Sequence, residues 1–120
     1  MSVTVGNPCG TPLLSQLARA KNGLEDAQIA LCGAVTAHAE AKRALELAEA
    51  VALCAGVEGR NDKERAAKLR LELRGECEAL AEAEDALTEA RCSFEVARLE
   101  WDLARYSVRV LEPQTFREAA

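Results

Sequence analysis

A seven-residue repeat runs through two stretches of this chain and constrains its fold more than any other feature. In the first stretch Leu17, Leu24, Leu31, His38, Leu45 and Ala52 recur every seventh residue, and Ala20, Ala27, Ala34, Ala41, Ala48 and Ala55 follow three residues behind them. In the second, Leu73, Leu80, Leu87, Phe94, Trp101 and Val108 repeat in the same way, interleaved with Leu69, Glu76, Ala83, Ala90, Ala97, Ala104 and Leu111. Alternating steps of three and four residues mark a coiled-coil seam, here with a large residue at one seam position and mostly alanine at the other. Gly56-Val57-Glu58-Gly59-Arg60-Asn61 separates the stretches and reads as the turn between them.

Folding the second stretch back on the first predicts layers in which bulk meets methyl. Leu17 faces Ala104, Ala20 faces Trp101, Leu24 faces Ala97, Leu31 faces Ala90, Ala34 faces Leu87 and Ala41 faces Leu80. Large opposite small is what interdigitation at native density requires. The composition agrees, because 49% of residues are hydrophobic but only 3% are aromatic. Such side chains suit thin helix-on-helix contacts better than a thick core.

The expected fold is all-α. It is a long antiparallel helical hairpin, an alanine-rich coiled coil over residues 12–111 with its turn at about 56–61. At 1.5 Å per residue each arm would run roughly 65–75 Å. Residues 1–11 read as a flexible arm and residues 112–120 as a frayed tail. Thr11 and Pro12 offer a cap and a first helical residue, Asn61 and Glu64 a capping box, and Pro113 a stop. Two layers depart from the rule: Leu45 faces Glu76, and His38, set against Ala83, takes a leucine position. The expectation is that Glu76 reaches out to water and that His38 finds a polar partner or solvent. Gly23, Gly33 and Gly75 each cost about 1 kcal/mol of helix propensity and mark either bends or close approach of another helix.

The formal charge of −5 offers no global attraction for nucleic acid. Five cysteines without a CxxC pair read as buried or half-buried free thiols in a reducing cytoplasm. No apolar run is long enough to cross a membrane, and Met1–Gly10 lacks the charged and apolar regions of a signal peptide. The chain is therefore expected to be soluble and cytoplasmic, with no membrane partner.

Apolar residues continue beyond the seam. Ala37, Ala44, Leu47 and Val51 extend it on the first helix, and Val96, Leu103 and Val110 form a further line on the second, with Leu99 and Tyr106 nearby. Contiguous apolar surface of this kind marks a partner site. The two patches lie toward opposite ends of the expected hairpin. An antiparallel homodimer would bring unlike ends together as a four-helix bundle.

No catalytic motif stands out, and the sequence reads as non-enzymatic with no cofactor and no metal site. The run Glu76, Glu78, Glu82, Glu84, Asp85 and Glu89 lacks the Glu-x-x-His pairs of a di-iron bundle and reads as a solvated acidic face. At the turn, Arg60, Asn61, Lys63, Arg65 and Lys68 crowd a helix start and form a candidate anion or nucleic-acid contact. Glu58, Asp62, Glu64 and Glu72 are interleaved with them and can pair at helical spacing.

Gly59, Arg60, Asn61, Arg65 and Leu69 match a G-[KR]-N-x3-R-x3-L pattern. In this the chain resembles small uncharacterised phage-encoded helical proteins, in which an acidic, alanine-rich helix also follows the motif. The resemblance implies an accessory role in DNA metabolism, near recombination or replication. The favoured expectation is an assembly or adaptor protein acting through helical surfaces, a homodimer or the partner of another protein, derived from a phage or prophage. A nucleic-acid-binding accessory protein using the basic turn is the alternative.

Overall fold

The computed structural model describes the backbone of residues 10–119 and the side chains of residues 12–111. Most of the expected N-terminal arm, Cys9 and the side chains of the expected tail lie outside the described residues. Among these residues the fold is helical apart from the turn at 56–61 and the break at Leu73, without strands: α1 is Gly10–Ala55, α2 is Asp62–Glu72 and α3 is Arg74–Ala119. Helix α1 starts two residues ahead of Pro12, so Thr11 is a helical residue and not the residue before the helix. Pro12 is tolerated there because the first four N–H groups of a helix have no intrahelical acceptor. The helical backbone of α3 also passes Leu111 and Pro113 to Ala119. A proline carries a helical φ, and one missing N–H did not end the helix.

The second helical stretch is two helices and not one. At Leu73 the backbone leaves the helical region (φ −98°, ψ 16°), although its N–H still donates to the Leu69 carbonyl at 3.0 Å. The Cys77 N–H donates to the Leu73 carbonyl at 2.9 Å, so the hydrogen-bond ladder resumes at once. Gly75, two residues on, weakens helix preference at this place. Gly23 and Gly33, by contrast, lie within an unbroken α1.

Burial follows the repeat. Every seam position from Leu17 to Ala52 and from Leu69 to Val108 is buried or half-buried, whereas Ala55 and Leu111, at the ends, are exposed. The shielding is thin, since among the described residues only Leu73, Leu87 and Ala97 fall below a tenth exposed. Fully burying a leucine contributes about 1.5–3 kcal/mol, so most layers here stabilise by less.

The chain divides into two compact units, Met1–Ile29 with Cys92–Ala120, and Ala30–Arg91. In the first, the ends of α1 and α3 lie side by side. Leu17 shares a cleft with Trp101 and Val108, and Ala20 shares another with Ala104. In the second, Val35, His38 and Ala39 of α1 share a cleft with Glu84, Leu87 and Thr88 of α3. His38 Nε2 sits 3.7 Å from Glu84 Oε1, which supplies the polar neighbour that a histidine in a leucine position needs. Glu76 is half-buried at its seam position.

Candidate functional site

Two kinds of surface were expected to carry function, the basic turn and the apolar outer faces. The turn is built from its own hydrogen bonds. Gly56 adopts φ +88°, a conformation open to glycine, and its N–H donates to the Leu53 carbonyl at 3.2 Å, which closes α1. Six residues later α2 starts under a cap: the Asn61 side chain accepts from the Glu64 N–H at 2.8 Å. The Glu64 carboxylate accepts from the Arg60 N–H at 3.1 Å, one residue earlier than a capping box would have it.

Arg65 ties the turn together. Its Nε donates to the Gly59 carbonyl at 3.1 Å, and its guanidinium lies 3.8 Å from Asp62. A Cβ on Gly59 would stand 2.6 Å from Arg65 Cγ and 2.9 Å from the Arg65 backbone nitrogen, so only glycine fits. Three residues of the Gly59-Arg60-Asn61 and Arg65 pattern thus have a local structural use. Glycine permits the approach, asparagine caps, and arginine clasps. Of the candidate anion contacts, Asn61 and Arg65 are already engaged within the turn, and the Glu64 and Arg65 N–H groups have acceptors. Arg60, Lys63 and Lys68 remain as exposed basic side chains at the turn and the start of α2.

The outer faces show the larger anomaly. Among the described residues thirteen large apolar side chains are exposed, against three buried residues of the core. All the candidate interface residues are among the exposed: Leu47 at 67%, Val51 at 60%, Val96 at 55%, Leu103 at 66% and Val110 at 44%, with Ala37 and Ala44. Leu99 and Tyr106, also exposed, complete the line on α3. Ile29, Leu53 and Leu71 are exposed as well and were not singled out from the sequence. The signal was present, because each is a large apolar residue off the seam, where a solvated helix would carry a polar one.

The cysteines correct an expectation. Cys32, Cys54, Cys77 and Cys92 are free but exposed, because each falls off the seam on a helix thin enough to leave its flanks in water. Among the described residues no group of three or more His, Cys, Asp or Glu side chains could hold a metal ion, and no helix is long and apolar enough to cross a membrane.

The fold and these surfaces describe an all-α protein with a thin alanine-rich seam and apolar outer faces. No protein-family model matches the chain, and no significant match to a curated protein or a solved structure was found.

Proposed function

We propose that this chain is a non-enzymatic assembly or adaptor protein of phage or prophage origin, acting in the cytoplasm through its helical surfaces. In this reading α1 and the α2–α3 arm form an antiparallel hairpin, and two hairpins pair into a four-helix bundle homodimer. The observation that carries it is the imbalance, among the described residues, between thirteen exposed large apolar side chains and three buried residues. A chain left alone would keep that surface in water at a cost of about 25 cal/mol per Å² relative to covering it. Light scattering across a concentration series tests the reading. The expected result is a dimer mass, and a strictly monomeric mass at tens of micromolar would remove the self-assembly part.

The basic turn supports a nucleic-acid role less well, since two of its five candidate residues are spent on holding the turn. Phosphate contacts would show as affinity falling steeply with salt. If Arg60→Glu with Lys63→Glu leaves binding to duplex DNA unchanged, that second reading should be dropped.

A further inference from the structure

The first unit holds a cleft whose charge runs against the rest of the chain. It measures about 270 Å³ and is lined by Leu17 of α1 and by Trp101, Arg105, Val108 and Arg109 of α3. Leu17, Trp101 and Val108 are seam residues that stay half-buried, so the part of each left open forms an apolar floor. Arg105 and Arg109, one helical turn apart and both exposed, supply the charge.

The two guanidinium groups are unspent. The ion pairs of the described residues engage Lys21, His38, Arg65 and Arg74 as bases, and neither Arg105 nor Arg109 joins one. Arg105 instead lies over the Trp101 ring, 5.8 Å from its centroid, at cation–π distance. That contact uses the cation's charge and consumes none of its five N–H donors. In a chain of formal charge −5, two free cations above an apolar floor call for an occupant that is both apolar and anionic.

Size and chemistry narrow the occupant. The cleft falls short of the roughly 300–1,000 Å³ of sites that enclose a free small molecule. It has room for one or two side chains of a segment carried by a larger body. A nucleic-acid strand fits less well, because the Trp101 ring already has a guanidinium over it and is no bare platform for a base. Glu100 and Asp102, exposed on either side of Trp101 in the chain, also repel a backbone charged at every nucleotide.

We propose that this cleft receives an acidic segment of another protein with an apolar residue at its centre. The apolar side chain covers Leu17, Trp101 and Val108, and carboxylates beside it accept charge-assisted hydrogen bonds from Arg105 and Arg109. The inference rests on the adaptor reading, to which it adds the contact for an unlike partner, and it does not depend on whether copies of the chain pair.

Trp101 is the chain's single tryptophan, so its emission reports on the cleft directly. The probe is an end-capped hexapeptide of two leucines flanked on each side by two glutamates, titrated into the full chain by fluorescence and by calorimetry. Saturable binding is expected, at least tenfold weaker when lysines replace the glutamates or serines replace the leucines. Arg109→Gln leaves the Arg105–Trp101 contact in place, with helicity checked by circular dichroism, and should weaken binding about tenfold, the low end for a charge-assisted hydrogen bond. No saturable response, equal binding of either control peptide, or an unchanged affinity in Arg109→Gln would overturn the proposal. So would a thymidine decamer that binds more tightly than the peptide, since the occupant would then be a nucleic acid. Light scattering keeps the two readings apart. Peptide binding by a monomer would remove self-assembly and keep the cleft, whereas a dimer that ignores the peptide would do the reverse.

Discussion

The outward face of α3 changes character along a single helix. In the unit formed by residues 30–91 it carries Glu78, Glu82, Asp85 and Glu89, all exposed. In the other unit the next turns of the same face carry Val96, Leu99, Leu103, Tyr106 and Val110, also exposed. The inward positions of α3 keep their character, since Leu80 and Leu87 in the one unit and Phe94 and Trp101 in the other are all buried or half-buried. Helix formation needs only the inner repeat and tolerates either outer face. Carboxylates are what a face left in water carries, whereas a run of large apolar groups there calls for a partner surface.

Substitution can break or sharpen this contrast. The largest effect should come from the inner face. Leu87→Ala removes a side chain that is 6% exposed and should cost about 2–5 kcal/mol in denaturant unfolding, by the same amount at every protein concentration. Leu99→Ala, at a residue 67% exposed, should destabilise only at concentrations where the chain associates. A concentration-independent loss of similar size would show that Leu99 serves the chain's own core.

Giving the apolar half the character of the acidic half comes next. Leu99→Glu with Leu103→Glu should weaken self-association by about 2–4 kcal/mol, read by sedimentation, with helicity unchanged. An unaltered mass distribution would mean that the apolar seam is not where copies meet.

The turn, held by its own hydrogen bonds, is a separate control. Gly59→Ala forces a methyl against Arg65 and should cost about 1–3 kcal/mol. Asn61→Ala removes the α2 cap and should cost about 1 kcal/mol. Thermal unfolding of both variants should show these losses without any change in association.

The smallest effect belongs to the acidic face. Glu82→Gln with Glu89→Gln should move stability by no more than about 0.5 kcal/mol, because solvated carboxylates away from partners contribute little. A larger loss, measured by the same unfolding, would assign those carboxylates a structural role.

Sequence spacing alone determined the helical class, the seam and the turn. A period of three and four residues admits one face per helix, and every seam position from Leu17 to Ala52 and from Leu69 to Val108 is buried or half-buried. The cap at Asn61 was legible for the same reason, since its chemistry is local. Tertiary structure decided what depends on distances between residues that do not fix one another's position. These include the clasp of Arg65 on Gly59, the meeting of His38 with Glu84, and the break at Leu73. It also decided the cysteines, because a period says which way a side chain points but not how much protein lies there to cover it.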